Sequence, residues 1–216
     1  MVLQTLAHRR PQVSDGKRIV GILLAAGRGE RFGGEKLLAK VRAAVSPGPG
    51  ALASAGNEYV GALACRNLAA AVPEVIAVVR PGDAALAEAL RAAGARIVPC
   101  ANAEDGMGAS LACGVKATRD AAGWIVALGD MPWIAESTIL RVVRAIADGA
   151  VVAAPFYGQL RGHPVGFGAA CFAELSVLSN DDGAKSVVAA HRDLLVRIDV
   201  DDAGTLRDVD RPDDLT

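Results

Sequence analysis

The chain of 216 residues is 52% hydrophobic and 22% charged, with a formal net charge of -1, enough apolar material for one substantial core and one domain. It has no dense Lys/Arg run that would point to nucleic acid or a membrane surface, and no apolar stretch long enough for a membrane span. Cys65, Cys100, Cys113 and Cys171 are isolated, with no C-x-x-C, and read as small thiols in a reducing cytoplasm, not as a disulfide framework or a zinc site.

Met1 to Lys17 lacks an uninterrupted apolar segment and reads as a loose tail, not a signal peptide, leaving residues 18–216 as one domain. Arg18-Ile19-Val20-Gly21-Ile22-Leu23-Leu24 is short, aliphatic and β-branched, as a buried parallel strand is. It runs into Ala25-Ala26-Gly27-Arg28-Gly29-Glu30-Arg31-Phe32-Gly33-Gly34-Glu35-Lys36, a loop with four glycines and three cations. Glycines let a backbone turn tightly and approach a ligand. Converging N–H groups and cationic side chains suit a phosphate cradle better than a plain turn. The P-loop pattern fails, because Glu35 separates Gly34 from Lys36 and Leu37 follows where a hydroxyl is needed. The dinucleotide fingerprint also fails: Gly27, Gly29 and Gly33 are wrongly spaced, and the second strand ends in Arg80-Pro81 with no acidic residue.

Leu37 to Val45 is ambiguous between a short strand and an extended segment, and Ser46 to Gly50 is a loop by composition. Tyr59 to Ala70 has helical apolar spacing, and Val75 to Val79 is a second buried strand. Asp83 to Ala93 reads as a helix with Asp83 as N-cap and Gly94 as stop, followed by a strand at Arg96 to Pro99. Asn102 to Leu111 leads into a helix that ends near Ala117, where Ser110 alone would read as a solvated first-turn residue. Trp124 to Leu128 is a fourth apolar strand that delivers Gly129-Asp130-Met131-Pro132-Trp133. A carboxylate just past the C-terminal end of a parallel strand sits where α/β folds keep their ligands. The other reading of Asp130, a cap for the helix Glu136 to Ala147, is weakened by the six-residue gap and Pro132. Trp133 reads as loop packing.

Val151 to Pro155 is a strand, Gly158 to Gly162 turns the chain, and His163 to Gly168 returns as a strand. Cys171 to Leu178 and Gly183 to His191 read as helices, His191 as a solvated cation at a helix end, and Leu194 to Val200 as a strand. Asp181-Asp182-Gly183-Ala184 is a turn with no assigned chemistry. The chain closes on Asp208-Val209-Asp210-Arg211-Pro212-Asp213-Asp214-Leu215, where Asp213 reads as a final helix cap. Strands alternating with helices predict a three-layer α/β/α sandwich with a mainly parallel, Rossmann-like sheet and one antiparallel excursion around Gly158.

Leu-Ala-Ala-Gly-x-Gly-x-Arg-Phe-Gly-Gly-x-Lys over Leu24 to Lys36 resembles the signature of the MobA-like NTP transferases, most closely the molybdenum cofactor cytidylyltransferases (MocA-type). Two more segments are similar to the family's: Asn102…Gly106-Met107-x-x-Ser110-Leu111-x-x-Gly114, and Arg161-Gly162-His163-Pro164-Val165-Gly166-Phe167-Gly168. The resemblance spans roughly residues 18 to 215. It implies a nucleotide-diphospho-sugar transferase-like fold, with Leu24, Ala25, Ala26, Gly27, Gly29, Arg80, Asn102, Gly106 and Ser110 on the nucleotide. Lys36 and Arg31 would neutralise charge during transfer. Asp130, with Asp208 or Asp210, would hold Mg²⁺. Arg161 and His163 would border the acceptor. The chain departs from the family's pattern in a longer Ala/Gly/Pro-rich stretch through Gly61 and in Arg211, where the family has Thr.

The implied reaction moves a nucleoside monophosphate, CMP from CTP, onto the phosphate of molybdopterin or its molybdenum-loaded form, releasing pyrophosphate. A molybdoenzyme or its maturation chaperone would be the downstream protein partner. The alternatives are the guanylyl-transferring sister enzyme using GTP, a sugar- or polyol-phosphate nucleotidyltransferase, and a non-catalytic cofactor-binding partner. Retention of Lys36, Asp130 and the terminal aspartates speaks against the last.

Overall fold

The computed structural model describes residues 18–27, 29, 32–41, 58–179, 181 and 183–215. The expected tail, Arg31 and most of the Ala/Gly/Pro-rich insertion lie outside them.

In the first strand, β1 (Ile19–Leu24), alternate side chains enter opposite cores. Ile19 and Leu23 join one buried cluster, Val20 and Ile22 the other, as the two-residue pleat requires. A strand buried on both faces needs a layer of helices on each side. β1 pairs in parallel with β2 (Glu74–Val79) and β4 (Gly123–Leu128), and β2 with β3 (Ala95–Pro99). β7 (Val165–Gly168) runs antiparallel between β4 and β5 (Val152–Tyr157). β5 turns at Gly158 (φ 60°) into the two-residue β6 (Leu160–Arg161), and its parallel partner is β8 (Leu195–Asp199). The sheet order is β3-β2-β1-β4-β7-β5-β6, with β8 on β5. This is the mainly parallel sandwich expected, and its antiparallel excursion is β7 with the β5–β6 hairpin.

Helices α1 (Val60–Ala71), α2 (Ala84–Ala92) and α4 (Glu136–Ala147) contribute to one core, and α3 (Met107–Lys116), α5 (Phe172–Ser176) and α6 (Lys185–Ala190) to the other. α1 lies close on the sheet because Gly21 has no side chain: a Cβ there would come within 2.9 Å of Leu68. Asp83 caps α2, accepting from the Leu86 amide at 3.3 Å. None of the described helices is long and apolar enough to cross a membrane.

Several local expectations change. The start of the ambiguous 37–45 stretch is a 3-10 turn (Lys36–Leu38) followed by a lone bridge from Lys40 to Tyr59. Ser110 is 4% exposed because it falls on the inward face of α3. His191 is not left to solvent: its Nε2 lies 2.7 Å from Glu174 Oε1, a partner 17 residues away that helix-end logic does not see.

The order of the central strands fixes the place for a ligand. From β1 the chain moves outward through β2 to β3, then returns to place β4 on the other side of β1. The loops after β1 and β4 therefore leave in different directions and open a crevice at the strands' C-terminal ends.

Candidate active site

β1 stays zipped to β2, and β4 to β1, one residue beyond the strand end. The Ala25 amide donates to the Val78 carbonyl, and the Gly129 amide to the Leu24 carbonyl, each at 2.9 Å. Past this point the β1 loop doubles back to deliver Lys36. Gly29 (φ 61°) makes that return possible, since a Cβ there would stand 2.8 Å from the Gly34 carbonyl and 3.2 Å from Lys36 Cβ. Lys36 Nζ reaches Asp130 Oδ2 at 2.7 Å and Asp210 Oδ1 at 3.5 Å. The other oxygen of Asp130, Oδ1, is buried and has no hydrogen-bond partner.

Asp210 arrives from the far end of the chain through a backbone staple, the Val209 amide donating to the Asp130 carbonyl at 2.9 Å. The expected cap at Asp213 is made instead by Asp214, whose Oδ2 accepts from the Asp210 and Arg211 amides at 2.8 and 2.6 Å. Those bonds hold its carboxyl below the usual range. Asp208 is exposed. Partial desolvation raises its carboxyl, and the charges of Asp130 and Asp210 add to that against Lys36. Among the described residues no three His, Cys, Asp or Glu side chains gather closely enough to cage a metal. The expected aspartate set is therefore two carboxylates bracketing an ammonium, with Asp208 outside that pair.

Above Lys36 opens a cavity of about 560 Å³, within the usual size of small-ligand sites. Of the residues expected on the nucleotide, it is lined by Leu24, Ala26, Gly27, Arg80, Gly106 and Ser110, together with Lys36 and Asp130. The Arg80 guanidinium reaches back to the Gly27 carbonyl at 3.4 Å. Gly106 (φ 115°) lets the chain turn into α3 at the cavity wall.

Ala25, Gly29, Asn102 and Arg161 are among the expected residues that are not on this wall. Ala25 is 2% exposed in the core, and its amide is committed to the sheet. Gly29 serves the turn. Asn102 is exposed outside the lining, its Oδ1 accepting from the Cys100 thiol at 3.3 Å. Arg161 is exposed on β6, opposite Phe156, because the hairpin absorbs it.

His163 lies between β6 and β7, its amide donating to the Thr205 carbonyl at 2.9 Å. Its Nδ1 is buried without a partner. Burial, with help from Arg161, lowers its pKa from 6.5 to about 4, against the upward pull of Asp130 and the Val126 backbone. The imidazole is neutral at neutral pH.

Three contributors were invisible in the sequence reading. Asn67, on the buried side of α1, donates to the Pro132 and Ile134 carbonyls at 2.8 and 3.2 Å and so holds the loop that carries Asp130. An amide on an otherwise apolar helix face was the available signal. Asp202 accepts from the Ala135 amide at 3.0 Å and the Thr138 hydroxyl at 2.7 Å. Asp181 closes the far side of the cavity from the turn before α6, where Gly183 packs on Met107, itself part of the wall. Trp133 packs as expected, with Arg207 stacked 3.8 Å above its ring.

Solved structures share this architecture. Rv0371c from Mycobacterium tuberculosis H37Rv is 27% identical over 92% of this chain and 96% of its own, with a TM-score of 0.71. A structure of Rv0371c in complex with manganese matches at 23% identity over 92% and 96%, TM-score 0.64. A nucleotidyl transferase from Methanothermobacter (Mth528) matches at 22% identity over 92% and 94%, TM-score 0.72. No curated protein sequence matches the chain significantly. The glycine loop, the strand-end aspartate and the crevice between them all fall within residues 21–194, which match the model of the MobA-like NTP transferase domain, and the chain belongs to that family.

Proposed function

We propose that the protein transfers CMP from CTP to the phosphate of a molybdopterin-type acceptor, with release of pyrophosphate. The observation that carries the reading is Lys36 held between Asp130 and Asp210 at the floor of a cavity whose walls are the glycine loop, Arg80 and the start of α3. In such a reaction the acceptor phosphate oxygen attacks the α-phosphorus in line. The protein supplies no nucleophile; it brings two anions together and neutralises their charge. Lys36 and Arg80 are the cations that line the cavity among the described residues.

The donor set fits a divalent cation. Asp130 Oδ1 is buried and lacks a partner, and Asp210 stands across Lys36. Mg²⁺ takes oxygen ligands, keeps several waters and needs only one or two carboxylates besides the substrate phosphates. The manganese complex of Rv0371c is in keeping with such an ion. When bound, the ion would polarise the phosphoryl oxygens; Asp130 and Asp210 would hold it.

The choice of CTP rests on Ala26, which lines the cavity at a position where the family resemblance gives guanine-using members, as a rule, a glycine, and on the resemblance of the Arg161 to Gly168 segment to the cytidylyltransferase branch. The buried wall around His163 is the proposed acceptor side. The test is pyrophosphate release with CTP, GTP, ATP and UTP, each with molybdopterin and with sugar phosphates as acceptors. Release with CTP and molybdopterin alone is the expected result. Release with a sugar phosphate, or none with any pair, would reject the reading.

A further inference from the structure

We propose that before nucleotide binds the Lys36 ammonium stands in for the divalent cation between Asp130 and Asp210, so that cation and triphosphate load together and the cation alone binds poorly. The inference rests on the nucleotidyl-transfer reading above. Its first support is geometric. The ammonium lies 2.7 Å from one carboxylate and 3.5 Å from the other, so it already neutralises the pair proposed to hold the metal. A cation arriving alone meets a fixed positive charge within hydrogen-bonding distance of its own ligands, in a place where Lys36 is only 13% exposed and water screens weakly.

The second support is the state of Asp130. Lys36 engages Oδ2, and Oδ1 is buried with nothing to bond. A buried carboxylate oxygen without a donor is costly, and a divalent cation at Oδ1 would satisfy it. The third support is where the lysine can go. Its side chain lines the same cavity as Gly27 and Arg80, and lysine is a compact point charge on a flexible stem. A triphosphate lying along Gly27 and Arg80 presents several negative charges within the swing of that stem. Drawing Nζ toward the phosphates releases Asp130 Oδ2 and removes the charge that opposed the metal. Because binding linkage is reciprocal, the metal then tightens the nucleotide by the same factor.

The experiment measures Mn²⁺ binding to the full chain by the loss of the free-ion electron paramagnetic resonance signal, with and without cytidine 5′-(α,β-methylene)triphosphate, after subtraction of the loss that the analogue causes without protein. Wild type should bind Mn²⁺ weakly alone and at least ~10-fold more tightly with the analogue. Lys36→Met, which keeps the stem and removes the charge, should tighten Mn²⁺ alone by ~10-fold and shrink the gain from the nucleotide. Lys36→Gln is a second neutral variant should the first fold poorly. Lys36→Arg, charged, should stay weak. Folded neutral variants that bind Mn²⁺ alone no more tightly than wild type would overturn the proposal. Failure of wild type to bind the analogue with Mn²⁺ would instead reject the CTP reading, while the metal-only arm would still decide the role of Lys36.

Discussion

The loops after β1 and β4 meet at Lys36 and Asp130 but are built differently. The β4 loop is tied to distant parts of the chain: Gly129 to Leu24, Asp130 to Val209, Pro132 and Ile134 to Asn67, and Ala135 to Asp202. Among its described residues the β1 loop closes mostly on itself, Phe32 on Gly29 and Lys36 on Gly34, with Arg80 reaching in to Gly27. The carboxylate is thus positioned by the whole fold and the ammonium by a short local turn. A site that must accept a bulky anion gains from this pairing: one partner keeps its place while the other changes partners.

The largest expected effect comes from the anchored side. Asp130→Ala should lower kcat by ~10²–10³, as the loss of one preorganised electrostatic element does, while the melting temperature changes little because the ties engage the loop's backbone and not the Asp130 side chain. Retention of wild-type turnover would remove Asp130 from the chemistry. On the other side, Lys36→Ala should lower the rate far more than it lowers stability. A large fall in melting temperature with turnover preserved would make Lys36 structural and erase the contrast between the loops.

His163 gives the anchored region a pH signature. Its folded pKa, about 4, lies below the unfolded 6.5, so between these values the unfolded chain binds a proton that the folded chain refuses. The contribution is intact above pH 6.5 and is lost as pH falls toward 4, by up to ~3 kcal/mol. Urea unfolding across this range should show the slope, and His163→Gln should flatten it.

Asp202→Ala tests the ties themselves. Stranding the Ala135 amide and the Thr138 hydroxyl should cost ~1–3 kcal/mol in urea unfolding and lower kcat with it. Unchanged kcat would show that the Asp202 tie does not position Asp130. The smallest effect is expected in the β1 loop. CTP should be preferred over GTP by ~1–3 kcal/mol in kcat/KM, the value of about one methyl group in a tight pocket. Ala26→Gly should narrow that gap, and an unchanged ratio would show that Ala26 does not read the base.

The β1 side was legible because its information is local. An aliphatic run, clustered glycines and a lysine at fixed spacing announce a strand and an anion loop without knowledge of the rest of the chain. The Asp130 position was legible for the same reason, as the residue beyond an apolar strand. What held Asp130 was not. Asn67 and Asp202 lie 65 and 67 residues from the backbone atoms they bind, and no periodicity encodes a partner at that range. Asn102 and Arg161 each sit in a segment similar to the family's, and neither lines the cavity: the Cys100 thiol donates to Asn102, and Arg161 belongs to a two-residue hairpin strand.

β7 runs against its neighbours, so the β5–β6 hairpin and the start of β7 face the same rim as the ends of β1 and β4. A parallel strand there would have needed a helical crossover to return. Here the return is Gly158-Gln159, a tight exposed turn outside both cores. Exposed loop tips are where insertions are best tolerated. This side of the rim can therefore be lengthened or replaced, by evolution or by an engineer, without rerouting a helix or disturbing the floor that carries Asp130.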